Sequence, residues 1–524
     1  MTPTGAIRLI EPERPDAAPA VLPQAPQEHA PAARTARLAT QPNGAQPNNG
    51  QPRTTPAQIP RGIVVPPGLP GSDAPSLQLP PHDPDRIGER LKAIAELFPP
   101  LPALPAEIQT EPAPGVQPWS LAQLEGMALA TSPVLRQAIA DVNATQGAAV
   151  QAGLHPNPII GYEGDTVGSG GTANYHGAFF DQLIKTAGKL DLARQTKLFD
   201  VRNAQLALGK TRVELITSVQ ARYYAVLVAQ EAVRSLHALA NFTDLAYRMQ
   251  VEQLRGGEAA AYEPMQLRVL AIQARTALVQ ARNRYFAAWN QLAAVVNAPG
   301  MPPEPLAGNV NLPVPVVRFD LVRDHMLRVH PDIQAAFNSE LQARSNLRLQ
   351  QVTPIPDLTM YFALQKDYTS PPYGATFNTQ IGMPTAIFDR NTGAILQAQG
   401  ELAKASQQAA RVRNQLVASL AEAFERYENS RANVDFHRAI ILPDQFRVYR
   451  SVYERHQQQP DRVTFDDVVL TQQTMAASIG VYIQALGVQW SSLTDLLNLL
   501  QLEDVGELAM PMEQVPVPPP AVAP

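Results

Sequence analysis

Cysteine is absent from all 524 residues. That excludes disulfides, thiolate metal sites, a cysteine nucleophile and lipidation of a cysteine in this chain. It is compatible with an oxidising compartment. No run approaches the ~18 apolar residues of a transmembrane helix. Strands that cross a membrane escape that test, because about ten alternating residues suffice. A basic excess is also missing: Lys and Arg number 42 against 47 Asp and Glu, for a net charge of -5. The electrostatic footprint of a nucleic-acid binder is therefore lacking. The histidines are few and dispersed. His155, His176, His325 and His330 show no ligand spacing such as H-x3-H on one helix face. No metal or cofactor is expected, and no nucleophile–base–acid pattern occurs that would make an enzyme. Gly168-Ser169-Gly170-Gly171 lacks the Lys-Ser/Thr of a phosphate loop and reads as a hairpin loop. Met1 to Val21 carries Arg8, Glu11, Glu13, Arg14 and Asp16 and has no apolar core. As written it is not a signal peptide. A misassigned start, a removed leader and a protein that is not exported all remain open.

Proline is abundant, with 50 residues. Roughly half precede residue 119, spaced by Ala, Gln and Asn, a composition too poor in apolar surface to offset ordering entropy. Residues 1–118 are therefore expected to form a mostly disordered arm. One island departs from this. Ile87, Leu91, Ile94 and Leu97 recur at helical spacing and predict a short amphipathic helix near 85–98, stopped by Pro99-Pro100. A transient helix and a docking element are both compatible with that pattern.

The rest is a duplication. Ser132-Pro133 and His330-Pro331 open equivalent segments, and Pro156-Asn157-Pro158 recurs as Pro354-Ile355-Pro356, at an offset of roughly 198. Trp289, Leu292 and Val296 recur as Trp490, Leu493 and Leu497. Each copy reads helix, proline pair, two strands, long helix, break, return helix. The first copy spans 119–298, with strands at about 158–184. A proline-rich bridge covers 299–319. The second copy spans 320–500, with strands at about 356–388, and a tail covers 501–524. Length and repeat size exclude a solenoid and predict two equivalent halves of one body.

Ser120 with Gln123 has the spacing of a capping box. Pro133 to about Gly153 is helical, with a small-residue face at Ala138, Val142, Thr145 and Ala149 that allows close helix approach. In the strands Leu358, Met360, Phe362 and Leu364 oppose Thr359, Tyr361, Ala363 and Gln365. Phe377, Thr379, Ile381 and Met383 oppose Thr376, Asn378, Gln380 and Gly382. Ile160 and Tyr162 begin the same pattern in copy one. Two hairpins cannot stand alone in water and need a larger sheet. Thr186 to Leu254 is helical throughout, and Asn391 to His456 equally so, with Pro443 expected to kink or loosen it. At 1.5 Å per residue such helices span ~100 Å and demand lateral packing. Ile479, Ile483, Leu486, Trp490, Leu493, Leu497 and Leu500 form a heptad seam, as do Leu278, Tyr285, Trp289, Leu292 and Val296.

This duplicated order resembles the TolC-type outer-membrane efflux proteins, chiefly those serving metal and drug exporters of the resistance-nodulation-division type. Ser132-Pro133 and His330-Pro331 look like the family's N-P helix starts. Met383-Pro384-Thr385-Ala386-Ile387-Phe388-Asp389-Arg390-Asn391-Thr392-Gly393 looks like its strand exit, and Ile440-Ile441-Leu442-Pro443 like its I-L-P. The likeness covers 119–500. It implies a mainly α chain in which each protomer of a homotrimer gives four strands to a twelve-stranded membrane barrel and its helices to a periplasmic α-barrel tunnel. It also implies an inner-membrane pump and a periplasmic adaptor as partners, and an outer-membrane location. Met360, Phe362, Phe377 and Ile381 become the expected lipid-facing side chains. At the tunnel end, Arg462 and Asp466 match the family's constriction. Val469 stands where a second aspartate is usual, with Asp467 as a substitute. Gly257 and Glu263 match the first turn, and Glu263 is expected to pair with Arg462. The second turn has Gln457-Gln458-Gln459-Pro460 in place of the usual glycine. A soluble or periplasmic long-helix scaffold with no transport role is the competing reading. The missing leader favours it, and strands with an apolar face speak against it.

Overall fold

A computed structural model describes residues 68–106, 108, 117–165, 174–369, 371–459 and 462–508. The chain divides into two compact units, Met1–Pro75 and Ser76–Pro524. Of the first, residues 68–75 are described, a run of turns and extended chain. The second holds every helix and strand among the described residues. The Gly168–Gly171 loop, most of the proline-rich arm and residues 509–524 lie outside them.

Copy one begins with α2 (Leu121–Thr131) and α3 (Pro133–Ala152). Both starts are dictated locally. Ser120 and Gln123 cap each other's backbone N–H at 2.9 and 3.3 Å, closing the expected box. Ser132 caps α3, with Pro133 at a position whose N–H has no partner to lose. The stripe of Val142 and Ala149 is buried, and α3 packs on α4 (Lys189–Gly256). That helix runs for 68 residues, ~100 Å, without interruption. It ends at Gly257, where φ is +81° and Glu258 N–H donates back to the Gln253 carbonyl at 2.9 Å. The return helix α5 (Tyr262–Val295) packs along it.

Copy two repeats this with α6 (Phe319–Val329) and α7 (Pro331–Val352). His330 takes the place of Ser132, its Nδ1 accepting from Asp332 N–H at 3.1 Å. The long helix differs. It consists of α8 (Thr392–Phe436), a π-helical turn at His437–Ile441 and α9 (Leu442–Gln458). Pro443 is the cause: it has no N–H, and its ring crowds the carbonyl four residues back, so the ladder widens by one residue just before it. The return helix α10 (Phe465–Leu500) packs on α8, α9 and α4.

Both predicted seams are core. Leu278, Tyr285, Trp289, Leu292 and Val296 are at most 1% exposed, and Leu486, Leu493, Leu497 and Leu500 likewise. Trp490 is buried with them, while Ile479 and Ile483 are half-buried. The repeated tryptophans both reach the bridge. Trp289 Nε1 donates to Met301 O at 2.9 Å and Trp490 Nε1 to Val310 O at 3.1 Å. A buried indole N–H needs such an acceptor.

The four strands are β1 (Ile159–Asp165), β2 (Tyr175–Ile184), β3 (Leu358–Asp367) and β4 (Ala375–Gly382). They form one antiparallel sheet in the order β1-β2-β3-β4, the hairpins of the two copies joining through β2 and β3. Strands β1 and β4 are its two edges.

The segment before copy one is not detached. Pro84–Arg86 forms a 3-10 turn capped by Asp83, and α1 (Ile87–Leu97) follows. Ile94 is fully buried and Phe98 is 2% exposed, in a cluster with Tyr247, Val251, Leu254, Leu267 and Phe465. The helix is thus a docked element.

Candidate functional site

Two regions bear on function. The first is the sheet. Cross-strand register puts Ile160, Phe180, Phe362 and Thr379 in one row, and Tyr162, Ala178, Leu364 and Phe377 in the next. Met360 faces Ile381. Directly opposed residues share a face, so all these side chains lie on one side. Phe377 and Ile381 are 68% and 61% exposed, and Ile160, Tyr162 and Leu364 are also exposed. Met360 and Phe362 are half-buried, the Phe362 ring lying 6.1 Å from that of Phe377. The four sequence-chosen residues therefore share a face, and β1 and β2 extend it with Ile160, Tyr162 and Phe180.

The opposite face is mostly polar, with Phe179 and Ala363 set among its acids and amides. Its rows run Glu163, Gly177, Gln365, Thr376 and Gly161, Phe179, Ala363, Asn378. Gln365 Nε2 donates to Glu163 and to Asp165, both at 3.1 Å, and the Tyr361 hydroxyl donates to Glu163. These bonds span a strand, and Gly177 is what permits it. A Cβ there would come within 2.0 Å of the Leu364 carbonyl oxygen. Glycine inside a strand commonly marks such a close approach.

Where the sheet meets the helices, one carboxylate ties the copies together. Asp357, just before β3, accepts from Lys185 and Lys189 Nζ, each at 2.8 Å, and from Thr186 N–H at 3.1 Å. Burial alone would raise its pKa. The hydrogen bonds from Lys185, Lys189 and Thr186, with the Lys185 charge, outweigh it and hold the carboxyl at about 2. Sequence pattern gave no sign of this clamp, because its members lie far apart in the chain. His330 is shifted too. Burial pushes its imidazole down to about 4; the Asp332 carboxylate acts the other way, and Lys210 acts with burial. A neutral ring is what its cap requires, since an imidazolium has no acceptor.

The second region is the pair of turns at the other end of the long helices. Glu263 begins α5 and is half-buried. It accepts a 2.6 Å hydrogen bond from Gln250 Nε2 of α4. Among the described residues no ion pair joins it to Arg462. The expected pairing thus gives way, within the chain, to a bond across its own hairpin, because Gln250 is the buried donor one helix away. Arg462 is exposed in the second turn, and Asp466 is exposed in the first turn of α10. Asp467 is differently engaged. It closes a capping box, accepting from Thr464 N–H and Oγ1 at 2.9 Å each. It caps the helix, and the Thr-x-x-Asp spacing was the available signal. Pro460 and Asp461 lie outside the described residues.

Long paired helices crowned by a sheet with one apolar and one polar face define a membrane-channel class of fold. Residues 124–298 match the family model "Outer membrane efflux protein". The cobalt-zinc-cadmium resistance protein CzcC of Cupriavidus metallidurans is 22% identical over 389 residues, 73% of this chain and 90% of that protein. In structure, the outer membrane protein VceC of Vibrio cholerae aligns with a TM-score of 0.60 at 17% identity, covering 73% of this chain and 96% of VceC. CusC aligns at 0.59 and 15%, covering 76% and 98%. The family match covers residues 124–298, and the fold over 73% of the chain is that of VceC.

Proposed function

We propose that this protein is the outer-membrane channel of a tripartite efflux system. It is a passive exit duct for metal ions, drugs or other small molecules. An inner-membrane pump delivers them through a periplasmic adaptor. The functional unit is a homotrimer, with four strands per chain in a twelve-stranded barrel above a helical tunnel in the periplasm. The observation that carries this is the sheet. One face is apolar and exposed across all four strands. Both edges need partners, since a bilayer offers none to an open edge. Neighbouring chains supply them, the polar face then lining water. A soluble scaffold has no use for that apolar face.

Three copies of Asp466 around one axis make a ring of carboxylates that attracts cations. Arg462, four residues before, relieves part of that repulsion, and Glu263 braces its own hairpin through Gln250. The duct performs no reaction of its own. Mass measurement in detergent tests the trimer, and a folded monomer counts against the whole assignment. Conductance in planar bilayers tests the gate. Arg462→Ser and Glu263→Ala should raise single-channel conductance, and Asp466→Asn should weaken block by divalent and trivalent cations. Wild-type behaviour in all three removes the gate and leaves the duct standing.

A further inference from the structure

The docked arm follows one side of the first hairpin for much of its length. His82 lies against the turn at Gly257, its ring Cε1 only 3.0 Å from where a Cβ would stand. Tyr247 of α4 donates to Pro99 O at 3.1 Å, and Arg268 of α5 to Leu97 O at 3.1 Å. Arg282 then donates to Ala106 O at 2.6 Å. Arg268 and Arg282 are two heptads apart and lie on one flank of α5. Arg275, between them, pairs with the buried Asp244 of α4 on that flank. Leu270, Ala277 and Arg284 fall almost opposite around the helix, and they look onto a groove whose far wall is Gly480 and Gln484 of α10. One flank of α5 thus borders that groove, α10 itself packing on α4, and the arm takes the other flank.

We propose that the arm, residues 76–106, is part of the contact between protomers, filling the seam where the next chain's second hairpin arrives. This rests on the trimer proposed above. A closed wall alternates first and second hairpins; since α10 of the same chain packs on α4, the α5 side of the first hairpin faces the neighbour, and Arg268 and Arg282 of α5 hold the arm on that helix. Its outward side fits the task. Ile87 and Leu91, one turn apart on α1, remain 42% and 41% exposed although the helix is already docked. Exposed residues of both signs surround them: Arg86, Glu89, Lys92 and Glu96. The occupant is therefore a second copy of this chain, packed near the end that carries Arg462 and Asp466.

The test is a photo-cross-linker. Leu91→p-benzoylphenylalanine in the full-length, detergent-solubilised protein should give, on irradiation, a species of doubled mass on a denaturing gel. Peptide mapping should place the adduct within 442–475 of the other chain. Adding Ile94→Asp, which undocks the arm, should abolish that species. A trimer by native mass with no interchain adduct, or with adducts elsewhere in the chain, overturns the seam and leaves the duct intact. A folded monomer overturns both.

Discussion

The two hairpins have the same plan and differ where they bend. The first keeps its long helix unbroken from Lys189 to Gly256 and turns at a glycine in the left-handed region, with the N-terminal arm along its side. The second breaks its long helix at His437–Ile441, ahead of Pro443, and has no glycine at its turn. One proline and one glycine thus separate two copies of one design. The first tip is braced by packing, through Ile94 and Phe98 on Tyr247 and Leu254. The second is joined to its upper half through a π turn, whose buried His437 bonds back to Asn433 O at 2.8 Å. A wall built from such pairs has a stiff member and a jointed member in alternation.

The largest expected effect is on the brace. Phe98→Ala should destabilise the first tip by about 3–5 kcal/mol, the usual loss for a fully buried phenylalanine. Hydrogen exchange should report it as faster opening of 247–267 with 442–458 unchanged. Equal acceleration at both tips would erase the contrast.

Next comes the sheet, where the copies should behave alike. Phe362→Arg should cost about 2–4 kcal/mol if it lies near the bilayer midplane. Phe180→Arg, its cross-strand partner, should cost about as much. Heat-induced loss of the trimer on gels measures both. Tolerance at either site would show that row to be out of the lipid.

A third difference is chemical. Ser132 and His330 cap equivalent helices, but only the histidine titrates. Its folded pKa, about 4, lies below its ordinary value of 6.5. The unfolded chain therefore binds the proton first. The stability tied to this site is complete above about pH 6.5 and drains away as pH falls toward 4, by on the order of 3 kcal/mol. His330→Ser should flatten the melting temperature across that window while keeping the cap. An unchanged pH profile would place the titration elsewhere. Smallest is Gly257→Ala, about 1–2 kcal/mol from the left-handed backbone, with further crowding against His82. A change below that, in chemical denaturation, would mean that the turn relaxes.

Much of this was legible in the residues. Period-two alternation placed the strands and both their faces, and heptad spacing found the buried seams. Local chemistry marked the helix starts at Ser120, Ser132 and His330, as well as the irregularity before Pro443. These signals are short-range, so one sequence carries them. Less legible was whatever depends on distant partners. Nothing in Ile87 to Leu97 says that α1 docks on Tyr247 and Leu267, since its face would suit any apolar groove. Asp357 is an unremarkable acid until Lys185 and Lys189, some 170 positions away, close on it. Glu263 was singled out, but its donor Gln250 was not, because uncharged amides leave no charge pattern to read.

The core of α4 has a consequence for how the protein is made. Val219, Tyr223 and Val226 belong to one cluster with Leu486, Leu493 and Leu497 of α10, roughly 270 residues later in the chain. At about 5–20 residues per second, a ribosome needs roughly 15–50 s to supply those partners. For that interval the part of the α4 stripe that α10 will cover is complete yet uncovered. A newly made chain must therefore be kept from sticking to its siblings, and slowing synthesis between residues 300 and 460 should raise its demand for holding chaperones.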